Sequence, residues 1–261
     1  MRALLLGPIA LLAVFLVPPV SAHEFWIAPS TFAPDAGDLV QVHLLHGERF
    51  AGTPVARQTS MIKRFTLVDG DGETKVVGRS GAAVSLTRAA DDDLQVLVYE
   101  SNHLRNDLTA ERFEAYLREE GLDRIVSERA QRGESSEAGR EVYQRCAKAL
   151  LRSPDATGDE VDRVLGLPLE LVRLPDAADG SLRAQLLYRG APLADAGVVL
   201  VHEQTPGDLR RLTTDTHGCI ETPAARGGTW MLTSIHMTRV ADPDRLDAEW
   251  ESFWASLTFQ R

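Results

Sequence analysis

The side chains of this sequence best suited to binding a metal ion are its histidines. There are seven of them: His23, His43, His46, His103, His202, His217 and His236. No HxH, HExxH or HxxxH spacing joins any two, and the neighbours His43 and His46 would point to opposite faces of a strand. A histidine metal site must therefore be assembled from separate segments of the chain.

His23 differs from the others because it follows a predicted export signal. Arg2 supplies a positive start, residues 4–17 form an apolar run, and small residues end at Ala22, which is the pattern of a cleavable signal peptide. The run is too short for a comfortable membrane span. Cleavage after Ala22 would make His23 the amino terminus, where its α-amine and imidazole could chelate one metal ion. The sequence therefore predicts a periplasmic or secreted protein whose mature part has no membrane span.

Two interpretations of His23 remain open. A cleavage site can fall before a histidine by chance, with no role for the side chain. On the other hand, Phe25, Trp26 and Ile27 form an apolar cluster that would anchor a terminus which otherwise frays. A tight site requires rigidly held ligands, so this cluster favours a functional role for His23.

Three internal histidines are candidate partners for His23. His236 lies near the end of a predicted strand, His46 ends the first predicted strand, and His103 lies in a loop before the predicted helices. Each also has an ordinary structural explanation, as a strand-edge or solvated loop side chain. We predict metal ligands at His23, His236, His46 and His103.

The chemistry of these donors favours a transition metal over other cofactors. Amine and imidazole nitrogens suit nickel, cobalt, copper and zinc. The third mature residue is Phe25, so the square-planar amino-terminal motif with histidine at position three is absent. No GxSxG, GxxxxGK or GxGxxG pattern is present in a matching context either. These features predict a metal-binding protein rather than an enzyme.

The charge of the chain limits its partners. The formal net charge is −10 at pH 7. Nucleic acids and anionic membranes are polyanions, so such a surface does not favour either of them.

Short strands must position the candidate ligands in the first half of the chain. Alternating or apolar runs predict strands at 39–46, 62–68, 74–77 and 94–100. The Asp-Gly-Asp-Gly turn at 69–72 is the clearest hairpin signal. A helix is predicted at 109–120, where Ala110, Phe113 and Leu117 share one stripe that ends at Gly121. A second helix is predicted at 137–152.

Strands resume after a polar linker at 176–180. They are predicted at 182–186, 198–202, 209–214, 219–222, 229–237 and 253–259. The fold prediction is therefore mainly β, with two β-sandwich domains at 23–175 and 181–261 and a helical insertion at about 108–152 in the first. In an oxidising compartment Cys146 and Cys219 could form a disulfide, with two separate thiols as the alternative.

The order of motifs along the chain resembles a family of exported bacterial proteins known as a domain of unknown function. The resemblance covers nearly the whole mature chain. It rests on HEFWIAPSTFAPDAGD, HGERFAG, YESN with LTAERFEAYLREEGLD, YQRCAKALL, GLPLELV, GAPLADAGVVL, TTDTHG, GTWMLTSIHM and WESFWASLTF. The family has been associated with nickel and cobalt uptake as a periplasmic component of a transporter.

The resemblance implies a periplasmic protein with an immunoglobulin- or transthyretin-like carboxy-terminal sandwich. By position it singles out His23 and His236, whereas His46 and both cysteines fall outside the shared pattern. The function expected is capture of nickel or cobalt by the amino-terminal histidine, with delivery to a membrane metal transporter. Two alternatives stay open: a copper histidine-brace redox enzyme, and a metal-free sandwich that serves as an interaction module.

Overall fold

The protein is built mainly from β-strands, which confirms the predicted fold class. The computed structural model describes residues 24–223 and 226–261. The predicted leader, its cleavage site and His23 lie outside the described residues. The strands of the first half are β1 (Glu24–Pro29), β2 (Leu39–Glu48), β3 (Ala51–Pro54), β4 (Ile62–Val68), β5 (Glu73–Lys75), β6 (Val84–Arg88), β7 (Leu94–Ser101), β8 (Leu104–Leu108) and β9 (Gly139–Arg152).

The second half of the chain contributes eight further strands. They are β10 (Leu169–Leu174), β11 (Leu182–Tyr188), β12 (Ala191–Pro192), β13 (Gly197–His202), β14 (Arg210–Thr213), β15 (Cys219–Thr222), β16 (Thr229–Arg239) and β17 (Trp250–Gln260). The helices are α1 (Ala110–Glu119), α2 (Asp123–Gln131) and the short α3 (Pro243–Leu246), and a 3-10 turn covers Thr59–Met61. No helix in the described part of the chain is long and apolar enough to cross a bilayer.

Most of the predicted elements are confirmed. The strands predicted in both halves match observed strands to within a few residues, and the 69–72 turn joins β4 to β5, with the Asp69 N–H donating to the Gly72 carbonyl at 3.0 Å. The first predicted helix is α1, which stops before Gly121 at a φ of +68°. Positive φ is the conformation that glycine adopts most easily.

The second predicted helix, 137–152, is wrong. These residues form β9, a 14-residue strand that pairs with β7 on one side and with β17 on the other. β9 is largely buried on both faces, and polar side chains such as Glu141, Gln144 and Lys148 are among its buried residues. Its sequence therefore shows no strand alternation, which is why a helix was predicted. The helices between β8 and β9 instead end at Gln131, because the second of them, α2, lies before the segment predicted as a helix.

A central sheet joins both halves of the chain. Its strand order is β14-β13-β16-β17-β9-β7-β4-β5, with β8 also paired to β9. The contact between β17 and β9 is parallel, so the last strand lies inside the sheet beside a strand of the first half. The predicted domain boundary at 175–181 falls between β10 and β11, which pair with each other. Strands from both sides of the boundary also share the central sheet. The division into two domains stays a prediction.

Two smaller sheets cover the central sheet. The amino-terminal sheet contains β1, β2, β3 and β6, and the carboxy-terminal sheet contains β10, β11, β12 and β15. Alternate residues of β7 separate the two cores: Leu97 and Tyr99 pack with the amino-terminal sheet, whereas Val96 and Val98 pack with the carboxy-terminal sheet. The central sheet is therefore the middle layer of a sandwich.

The helices lie on the same face of the central sheet as the amino-terminal sheet. Trp250 of β17 packs against Phe113 of α1, with ring centroids 6.5 Å apart. Thr258, on the same face of that strand, donates its hydroxyl to the Ile27 carbonyl of β1 at 2.7 Å. This arrangement leaves a cleft between the end of the amino-terminal sheet and the helices.

Candidate functional site

The candidate site is this cleft, whose floor is the central sheet. Its two connected cavities, of about 270 and 490 Å³, share Glu120, Val199, Arg211, Thr233, Ser234 and Ile235 in their linings. The smaller cavity also contacts Glu24 of β1 and Trp254 of β17. The larger one continues past the start of α2 to His236. Cavities of this size are typical of small-ligand sites.

Four glutamates gather at one end, which we call the acidic end of the cleft. Glu24 begins β1, Glu48 ends β2, and Glu119 and Glu120 follow one another at the carboxy-terminal end of α1; all four line the smaller cavity. A helix carries partial negative charge at this end, so carboxylates there are unfavourable for the helix itself. The helix dipole therefore gives no stabilising reason for Glu119 and Glu120 at this position.

Glu24 is held in place by the burial of its strand. Phe25, Trp26 and Ile27 are each less than 10% exposed. This confirms that the 25–27 cluster anchors the start of the described chain. The Glu24 carboxylate also accepts a hydrogen bond from the Arg49 N–H at 2.6 Å.

The turn that supplies this N–H is conformationally strained. Arg49 and Phe50 join β2 to β3 with φ values of +52° and +67°. Positive φ at both central residues is the type I′ geometry, which usually requires asparagine or glycine. Strain of this kind concentrates at functional sites. In this protein the turn directs the Arg49 N–H at Glu24 and holds the end of β2 beside the cleft.

The carboxylates of the acidic end perturb one another. Burial, and then the charges of Glu24 and Glu119, raise the pKa of Glu120 to about 8. Burial is also the main cause that raises the pKa of Glu24, with a hydrogen bond from Arg49 opposing it and Glu48 adding to it. When the four glutamates are ionised, the acidic end therefore contains more negative than positive side chains.

The three described histidines that were predicted as metal ligands do not form one site. His236 lines the far end of the cleft, but its ring packs against Tyr188 with centroids 4.5 Å apart. Strand alternation places that ring on the opposite face of the central sheet from Ile235, which lines the acidic end. Burial, together with Arg124 and Arg189, lowers the pKa of His236 to about 4.

The other two candidates lie in different surroundings. His46 pairs with Phe25 across the β1–β2 ladder, and alternation puts it on the same face as Glu48, so it belongs to the neighbourhood of the acidic end. His103 lies between β7 and β8, where its Nε2–H donates to Glu251 at 3.0 Å. Glu251 also forms an ion pair with Arg189 at 3.3 Å.

The described residues do not complete a metal site by themselves. Among residues 24–223 and 226–261, no group of three or more His, Cys, Asp or Glu side chains is arranged to hold a metal ion. Cys146 and Cys219 are both free thiols, the first buried in β9 and the second partly exposed in β15.

One protein-family model matches most of the chain. Residues 20–238 match the family described as "Domain of unknown function (DUF4198)". The chain belongs to this family. In this DUF4198 protein the matched region runs from before β1 to Thr238 in β16. It includes the four glutamates of the acidic end and His236, but not Trp254 of β17. No curated protein matches the sequence.

Sequence reasoning missed most of the residues that line the acidic end of this DUF4198 protein. Glu48, Glu119, Glu120 and Arg211 come from three distant segments and carry no motif. One local signal was available: two adjacent glutamates before Gly121 oppose the helix dipole. Two carboxylates at the carboxy-terminal end of a helix do not stabilise it.

Proposed function

We propose that this protein is exported and captures a divalent transition metal ion, nickel or cobalt, at the acidic end of the cleft. It acts as a binding protein for uptake rather than as an enzyme. The observation that carries the proposal is the position of Glu24. It is anchored by buried neighbours, and it lines a small cavity with three other glutamates.

The donors proposed for the metal ion begin with His23. Cleavage after Ala22 would free its α-amine, and the amine and imidazole together would supply two nitrogen donors. Carboxylates of Glu24 and Glu48 would add oxygen donors and negative charge. This mixture of nitrogen and oxygen suits nickel, cobalt and zinc, and copper would bind as well because the Irving–Williams order favours it.

The electrostatics of the acidic end support a cation as the ligand. Carboxylates that raise one another's pKa repel one another when ionised, and an opposite charge within a few ångströms relieves that repulsion. Arg49 and Arg211 also line this cavity, but they leave it with more acidic than basic side chains. The ring of His236 packs against Tyr188. Glutamate oxygens, rather than the His236 imidazole, therefore complete the proposed donor set.

Two further parts of the proposal concern location and partner. The predicted leader at 1–22 would deliver the protein to the periplasm, and a membrane metal transporter would receive the ion. Intact mass of protein recovered from a periplasmic fraction tests the first part directly. A chain that begins at His23 supports export with cleavage after Ala22, and a full-length mass contradicts it.

The test of metal binding is calorimetric titration of nickel into the chain that begins at His23. The comparison is a chain with one additional alanine before His23. This extension converts the α-amine of His23 into a peptide nitrogen without changing any described residue. We expect tight binding to be lost in the extended chain and in His23→Ala. His217→Ala is the matched control, since His217 lies in an exposed turn. Equal binding by all four proteins would refute the terminal chelate.

A further inference from the structure

We infer that the cleft accepts the metal ion together with a small polycarboxylate ligand, as a chelate. This rests on the proposed function and specifies its substrate. The first argument is size. A divalent ion with six waters occupies about 180 Å³ at about 30 Å³ per water, so the acidic end, at about 270 Å³, already accommodates it. The adjoining cavity of about 490 Å³ has room for a second, larger ligand.

The second argument is the change of charge along the cleft. Carboxylates surround one end, whereas the middle and far end contain Arg211 and Arg124, with Asp195 as an acidic neighbour. A bare cation is attracted to the first end only. A metal carboxylate has a cationic centre and anionic arms, and its charges match the order in which the side chains occur.

The third argument is that Arg211 has donors to spare. It lies on β14 beside Glu120, close enough to lower the pKa of that carboxyl. In the part of the chain that the structure describes, no group accepts a hydrogen bond from its guanidinium. A guanidinium presents paired N–H groups that fit a carboxylate with two parallel bonds. Arg211 therefore faces the cleft with the geometry of a carboxylate receptor.

Arg124 provides a second contact point farther along. One of its terminal nitrogens donates to the Met237 carbonyl at 2.7 Å, which fixes the side chain against the end of β16. The other is 3.9 Å from Glu128, beyond normal hydrogen-bond length, and the side chain is 64% exposed. The Arg124 nitrogen near Glu128 can therefore bind an anionic arm without breaking an existing hydrogen bond.

The experiment compares nickel chloride with nickel citrate as ligands for the processed protein. Equilibrium dialysis with labelled citrate measures whether citrate is retained, with and without nickel, and calorimetry measures both affinities. We expect citrate to be retained only when nickel is present. The variant is Arg211→Gln, with Arg210→Gln as the matched control, because Arg210 lies next to it on β14 but bonds to Thr222 on the other face.

The affinities for nickel citrate and for nickel chloride should respond differently to Arg211→Gln. Loss of charge-assisted hydrogen bonds should weaken nickel citrate binding by about 10- to 100-fold. Loss of a positive charge beside the acidic end should leave nickel chloride binding unchanged or strengthen it. A merely structural role for Arg211 would weaken both ligands together, and that result would overturn the inference.

The remaining outcomes separate this inference from the proposed function. Nickel chloride bound tightly with no retention of citrate would overturn the chelate and leave metal capture standing. Citrate retained equally without nickel would also overturn the chelate, since the cleft would then be a carboxylate site. No nickel bound in either form would refute the proposed function itself.

Discussion

Replacing Glu120 with glutamine should stabilise the metal-free protein at alkaline pH. Glutamine keeps the size and polarity of the side chain but removes the charge that burial and the neighbours Glu24 and Glu119 disfavour. A carboxyl whose pKa is higher in the folded state than in the unfolded chain holds its proton longer when folded. The free energy of unfolding therefore falls as the pH rises from 4.5 to about 8, and it is constant on either side of that window.

The size of this effect follows from the shift. One pKa unit corresponds to 1.36 kcal/mol, so the change from 4.5 to about 8 gives an upper limit of about 5 kcal/mol. Glu120 keeps some contact with solvent, which screens its interactions and reduces the expected effect to about 2–3 kcal/mol. At pH 4 both states of the wild-type carboxyl are protonated, so wild type and variant should be equally stable there.

The assay is urea denaturation of both proteins in a chelator at pH 4, 6 and 8.5. Because other groups titrate over the same range, the quantity of interest is the difference between variant and wild type at each pH. Glu203→Gln, in an exposed turn, is the matched control. If Glu120→Gln differs from wild type by the same amount at all three pH values, the crowding of carboxylates at the acidic end is refuted.

Three further predictions concern the packing around the cleft, and urea denaturation checks each of them. Gly52→Ala should cost about 1–3 kcal/mol because a Cβ there would lie 2.4 Å from the buried ring of Trp26, whereas Gly207→Ala, with open space around it, should cost much less. Lys148→Met should cost about 3–5 kcal/mol since it leaves two fully buried carboxylate partners without a cation, and a loss below about 1 kcal/mol would contradict this. The lowered pKa of His236 means that wild-type stability should fall as the pH drops from 6.5 to about 4, by about 2 kcal/mol; His236→Phe should remove this loss, and an unchanged acid profile would refute it.

The elements that sequence reasoning predicted correctly are those with a local signature. The 69–72 turn, the alternating strands and the stripe of α1 that ends at Gly121 are each specified by residues within a few positions of one another. Burial of Phe25, Trp26 and Ile27 was predictable for the same reason, because three large apolar residues in succession rarely stay in solvent.

The elements that it missed depend on distant partners. The 14 residues of β9 contain several good helix formers, yet they form a strand because β7 and β17 occupy both of its edges. Hydrogen bonds along both edges and burial on both faces outweigh a local preference of a few tenths of a kcal/mol per residue. No window of sequence around β9 contains that information.

For the candidate site the sequence pointed to His23 as a proposed donor, and the tertiary structure decided which carboxylates lie together. A predicted cleavage site before His23 and an anchoring apolar cluster after it are written in adjacent residues, so the amino-terminal half of the metal proposal needed no coordinates. The acidic end did, since Glu24, Glu48 and Glu120 come from three segments that only packing brings to one cavity. The same packing turned His236 towards Tyr188 and away from that end. Local chemistry is encoded by neighbours along the chain, whereas the distance between charges depends on how layers of a sandwich are stacked.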